Sequence, residues 1–140
     1  MKKNLLLGIL FLLPFQAAAQ TGDIPSEAEQ MGIAAGIAMR CRAAKELYKF
    51  EEIVSRYFAN TAPNQKLEEE LLSAYLRAKA RSYINSARQN VNCAADLQGF
   101  AKMPIMNFEL YSDGSLKTTD GRWLYPRGKK AKAADAVRVY

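Results

Sequence analysis

The sequence predicts a mainly α fold: a small helical bundle of two long and one or two short helices, one disulfide, and a short C-terminal β-hairpin or meander. Three observations carry that expectation. Apolar residues recur at intervals of three and four from Ile33 to Tyr48 and again from Leu67 to Val91, the period of a helix face. Two Asp-Gly pairs, Asp113 with Gly114 and Asp120 with Gly121, separate short runs rich in aromatic residues, the signature of tight hairpin turns. The chain holds only two cysteines, Cys41 and Cys93.

Residues 1–19 have the pattern of an export signal. Lys2 and Lys3 give a basic start, "LLLGILFLLPF" from Leu5 to Phe15 is an apolar run, and Ala17 to Ala19 are the small residues a signal peptidase requires. A run of about 11 residues falls short of the ~20 that span a bilayer. Cleavage after Ala19 would release a chain beginning at Gln20, periplasmic in a cell with two membranes and extracellular in a cell with one. In such an oxidising compartment an even cysteine count predicts the pair Cys41–Cys93. Neither cysteine belongs to a Cys-x-x-Cys motif, so the bond reads as structural.

The helical domain is expected over residues 20–105. "IPSEAEQM" reads as its first start: Pro25 just ahead of the helix, Ser26 as its cap and Glu29 as the return arm of a capping box. Ile33, Ile37, Cys41, Ala44 and Tyr48 then mark one face, and a phase shift towards Phe50, Val54, Tyr57 and Phe58 predicts a bend near Lys49. Glu52 and Arg56 are spaced as a favourable surface pair. "ANTAPNQ" at 59–65 breaks the pattern. A second long helix follows, with Glu68, Glu69 and Glu70 early and Arg77, Lys79, Arg81 and Arg88 late, the order its dipole favours. Asn90 and Asn92 mark its end, and Asp96 to Met103 suit a short helix before Pro104. The β segment, 106–127, should bring Phe108, Leu110, Trp123 or Tyr125 against the helices, because two or three short strands do not stand alone. The tail, 128–140, is polar and alanine-rich and reads as a loose helix or disorder.

Within the first helix "MGIAAGIAMRC" raises its own question. Ala28, Gly32 and Gly36 form a stripe of small residues at spacing four. Charged Glu27, Glu29, Arg40 and Arg42 bracket an apolar run too short for a membrane helix, and no phosphate-loop finish follows the glycines. Close packing of a second helix is the expected use. The alternative is a shallow groove at Gly32, Ile33, Gly36 and Ile37 that receives a partner's helix.

Composition excludes some chemistry. The chain has no histidine, which removes the usual general base, the Ser/His and Cys/His nucleophile pairs and the commonest metal ligand. No cofactor or metal site is expected. Glu51, Glu52 and the 68–70 cluster are the only candidates for a paired-carboxylate hydrolase of envelope polymers. Adjacent helical residues diverge, however, and an acidic first turn has an electrostatic explanation. Removing Lys2 and Lys3 takes the net charge from +6 to +4. Arg122, Arg127, Lys129, Lys130, Lys132 and Arg138 face only Asp135 in the C-terminal stretch, so the basicity belongs there. That stretch reads first as a solubilising terminus; together with Trp123 it also suits an anionic lipid or polysaccharide or an acidic protein face, while nucleic acid is not expected for an exported chain.

The residues Ala28-Glu29-Gln30-Met31, then Ala35-Gly36, then Cys41, with Cys93 about fifty residues on, resemble the small periplasmic helical proteins of the secretin-pilotin type, the PulS/OutS group of type II secretion. The resemblance covers residues 27–100. It implies a four-helix bundle with one disulfide, no catalysis, and a groove that holds a helix of an outer-membrane secretin or similar envelope protein. The chain departs from that group in having no lipidation cysteine after the predicted cleavage point.

Overall fold

The computed structural model describes residues 24–140; the expected signal at 1–19 lies outside them. The described residues form helices α1 (Ile24–Arg40), α2 (Ala44–Thr61), α3 (Gln65–Ser86) and α4 (Cys93–Ala101), a 3-10 turn at Pro104–Asn107, and strands β1 (Glu109–Leu110), β2 (Leu116–Lys117) and β3 (Trp123–Leu124). Among them no helix is long and apolar enough to cross a membrane.

The first long helix divides earlier than its periodicity suggests. α1 begins at Ile24, ahead of the expected cap at Ser26, and ends at Arg40. The break falls at residues 41–43, not near Lys49. Arg42 takes a left-handed φ of 59°, and the Ala43 amide donates to the Ala38 carbonyl at 3.0 Å. That is the reversal by which helices commonly stop, here with arginine where glycine fits best. α2 then buries Leu47, Phe50, Ile53, Val54 and Phe58, an apolar stripe at helical spacing. Each such side chain contributes about 1.5–3 kcal/mol when fully withdrawn from water.

α3 starts where the Asn64 side chain accepts from the Leu67 amide at 2.9 Å, satisfying one of the orphan donors of the first turn. It ends at Ser86, short of the expected asparagines. Asn92 instead caps α4, accepting from the Ala95 amide at 3.2 Å. The disulfide forms as expected, with the Cys41 and Cys93 α-carbons 5.5 Å apart. It joins the turn after α1 to the first residue of α4, not two long helices to each other. Closing a separation of 52 residues is worth roughly 4 kcal/mol in the chain-entropy model.

The small-residue stripe is the seam between α1 and α3. A β-carbon on Gly32 would stand 2.3 Å from the Tyr75 carbonyl oxygen, and one on Gly36 would stand 2.5 Å from that of Lys79. Ascending one helix by a turn therefore ascends the other by a turn, so α1 and α3 run parallel, with α2 as the return between them. Ala28, Ala35 and Ala38 are fully or almost fully buried beside the glycines.

The Asp-Gly turns close a three-stranded antiparallel meander in the order β1-β2-β3, as expected, with Gly114 and Gly121 each at φ +87°. Leu110 pairs with Leu116 and Leu116 with Leu124, so these three share the face turned to the helices. Leu110 and Leu116 belong to the same hydrophobic core as Phe50 and Phe58. Phe108 meets Tyr57 with ring centroids 6.2 Å apart. Trp123 does not turn inward; it shares the opposite face with Glu109 and Lys117. The tail is neither loose nor helical. It folds back along β1, where Tyr111 bridges Arg138 and the Val139 amide donates to Leu110 at 2.7 Å. The last residue, Tyr140, hydrogen-bonds Glu52 of α2 at 2.5 Å. Glu52 is thereby engaged away from Arg56, its expected partner.

Candidate functional site

The seam on α1 leaves one flank uncovered. Ile33 and Ile37 lie beside the glycine stripe on the helix, one residue on from Gly32 and Gly36, and α3 does not close over them. Ile33 is 48 % exposed. Together with Ala78 of α3 and Val91 of the α3–α4 loop they give the apolar part of a groove of about 590 Å³. Arg81, Asn85 and Gln89 supply polar groups from α3 and the loop, and Glu29 and Asp96 supply carboxylates from α1 and α4.

Local chemistry fixes the walls of the groove. The Ser82 hydroxyl donates to the Ile33 carbonyl at 2.8 Å, tying α3 to α1. At the far end the Arg40 guanidinium sits 3.8 Å above the Tyr83 ring, and its Nη2 donates to the Tyr83 carbonyl at 2.7 Å. A planar guanidinium can stack and donate at once, which an ammonium does less well. A second hollow, bordered by Arg40 and Cys93, shares Ser86, Gln89, Asn90 and Val91 with the groove. The Cys41–Cys93 bond pins that end, because it fixes the loop carrying Val91 against the end of α1.

Of the four residues expected to meet a partner, the structure separates two pairs. Gly32 and Gly36 are taken up by α3, whose backbone leaves no room for another chain; the close-packing use of the stripe is the one the fold makes. Ile33 and Ile37 remain available. Val91, Arg81, Asn85 and Gln89 escape a reading of the sequence, since they join the groove only through the parallel pairing of α1 and α3. A signal for Ile33 and Ile37 exists: they are large apolar residues one position outside a stripe already filled by small ones.

Four of the five carboxylates weighed for hydrolysis are held by separate partners, and the fifth, Glu70, is exposed. Glu51 accepts from the Tyr75 hydroxyl at 2.9 Å and pairs with Lys79. Glu52 accepts from Tyr140, Glu68 from Arg127 at 2.8 Å, and Glu69 from Gln65 at 2.9 Å. Burial, reinforced by the Glu51 charge, holds the Tyr75 phenol far above its ordinary pKa. The hydrogen bond to Glu52 pushes Tyr140 up to about 12. Both phenols therefore act as neutral donors that brace α2 against its neighbours. No group of acidic or cysteine residues that could hold a metal ion occurs among the described residues.

The basic C-terminal residues are likewise divided. Arg127 is committed to Glu68 and to the Ala62 carbonyl, and Arg122 to Asp120 at 3.1 Å. Lys129 and Lys130 are exposed, while Lys132 lies 5.4 Å from the Tyr111 ring centroid and Lys117 5.6 Å from that of Trp123. The fold thus defines a helical, disulfide-tied domain with an open interhelical groove and a basic-aromatic sheet face. No protein-family model, curated protein or solved structure matches the chain.

Proposed function

We propose that the protein is a non-enzymatic, chaperone-like accessory of the cell envelope, holding an amphipathic helix of an envelope protein between α1 and α3. The observation that carries this reading is the uncovered flank at Ile33 and Ile37, an apolar strip beside polar groups able to fix an orientation. The resemblance of residues 27–100 to secretin pilotins supports the same mode, with a secretin-like outer-membrane component as the partner class. So does a chain without histidine in which four of the five candidate carboxylates are engaged elsewhere.

The test is site-specific photocrosslinking in envelope preparations, with the reactive group at position 33 or 37 and, as a control, at Lys129. The expected outcome is one adduct from the groove positions, mapping to an amphipathic segment whose synthetic peptide binds the purified protein. Ile37→Glu should abolish that binding while leaving the helical circular dichroism intact. Equal labelling from all three positions, or a peptide indifferent to Ile37→Glu, would overturn the reading.

A further inference from the structure

The outward face of the meander is a second surface, unconnected with the groove. Strand alternation places Glu109, Lys117 and Trp123 on it, and Tyr111 and Tyr125, two residues from Glu109 and Trp123, on the same side. Three rings make a continuous row. The Tyr111 and Trp123 centroids are 5.2 Å apart, and those of Trp123 and Tyr125 are 5.9 Å apart with only 10° between the planes. Cations flank the row. Lys117 stands by Trp123 and Lys132 by Tyr111, while Arg138 neutralises Glu109 at 3.4 Å. Positive charge therefore remains along a strip of flat apolar rings.

We propose that this face binds an anionic polysaccharide. The exposed parts of Tyr111, Trp123 and Tyr125 would together take the C–H groups of the sugar rings, and Lys117 and Lys132 the acidic substituents. The arguments are charge complementarity and shape. The three rings are half-buried and packed on one another, Trp123 and Tyr125 within 10° and Tyr111 tilted by 44° to Trp123. They form a platform and not a prong that enters a bilayer, which separates this surface from a lipid anchor. Aromatic side chains suit the role because one body offers an apolar face at small entropic cost. The sequence expectation of a basic C-terminal stretch is thereby relocated. The binding cations are Lys117 of β2 and Lys132 of the tail, not Arg122 and Arg127, which are salt-bridged to Asp120 and Glu68. The Lys132 ammonium donates to the Ala133 and Ala136 carbonyls, which leave its charge unneutralised.

Trp123 is the only tryptophan, so its fluorescence reports on the row directly. The experiment titrates the protein with dextran sulfate and polygalacturonate, with neutral dextran as the comparison, and repeats the binding by calorimetry for variants. Both acidic polymers should shift the emission and dextran should not, with binding weakened by added salt. Trp123→Ala should weaken binding about tenfold or more, the range of one lost stacking contact. Tyr125→Ala, at the end of the row, should act in the same direction and serves if Trp123→Ala does not fold. Lys117→Gln with Lys132→Gln should remove most of the salt dependence, and Lys129→Gln with Lys130→Gln should change affinity little. Three results would each overturn the site. One is binding carried by Lys129 and Lys130 with the aromatic variants unaffected. Another is tighter binding to phosphatidylglycerol vesicles or single-stranded DNA than to either acidic polymer. The third is no emission shift with either polymer. Since Ile33 and Ile37 take no part, this test and the groove test fail independently.

Discussion

The α1–α3 seam and the C-terminal meander are both packed against the same core, yet they are held by opposite means. At the seam, backbone meets backbone through glycine, and adhesion comes from shape: small residues let two helices approach until their carbonyls limit them. The meander has three two-residue strands and, beyond the burial of Leu110 and Leu116, keeps its place by polar clamps. Asn60 of α2 donates to the carbonyls of Gly114 and Leu124, each at 2.9 Å, and the tail closes over β1 through backbone bonds. A seam built on shape tolerates no added volume but leaves its flanks free for a partner. A sheet built on hydrogen bonds tolerates changes on its outer face, where it can carry aromatic and charged groups.

That contrast predicts a graded set of effects. The largest should follow Gly36→Leu, which drives side-chain atoms into the Lys79 backbone. Loss of about 3 kcal/mol or more is expected in denaturant unfolding, or failure to fold. Gly99→Ala is the control: nothing lies within 4 Å of the place its β-carbon would take, and it should gain about 0.5 kcal/mol from helix propensity. Equal effects from the two would remove the distinction drawn for the seam. Next comes Asn60→Ala, which leaves two carbonyls without their donor and should cost about 2 kcal/mol. Hydrogen exchange should then rise in the meander and stay unchanged at the seam.

Tyr75→Phe tests the brace between α2 and α3. The folded state holds the phenolic proton more tightly than the unfolded chain does, beside Glu51 and Lys79. Its contribution is therefore fully present below the ordinary pKa of 10.0 and is lost as pH rises through the folded value. Relative to Tyr75→Phe, the natural protein should lose stability on raising the pH above 10, a difference readable in urea midpoints. The smallest effect is a gain. Arg42→Gly relieves a left-handed arginine at the end of α1 and should stabilise the chain by about 1 kcal/mol, seen as a raised Tm. No change would show the turn to be relaxed as it stands.

Much of the fold is legible in the residues alone. The break at Pro63, the long helix after it and the two Asp-Gly turns follow from local chemistry, and the Cys41–Cys93 pairing from the presence of only two cysteines. What the periodicity misplaces is instructive. Ile33 and Tyr48 look like core positions on an apolar face, but they are 48 % and 64 % exposed. Core in α1 is made by Ala28, Met31, Ala35 and Ala38, because a helix that must approach another closely buries its smallest face. Hydrophobic period detects large side chains, and this seam is made by their absence.

The tail shows the same boundary from the other side. Residues 128–140 have no pattern of their own, and their order comes from pairing with β1 and from Tyr140 reaching Glu52 across 88 positions. Local sequence decided which segments become helix, turn or strand, since backbone conformation depends on near neighbours. The tertiary structure alone decided that α1 and α3 run parallel, that Ile33 and Ile37 stay open, and that Tyr111, Trp123 and Tyr125 line up on the outer face. Each of those depends on the shape and charge of a surface distant in the chain, and that surface exists only once the chain has folded.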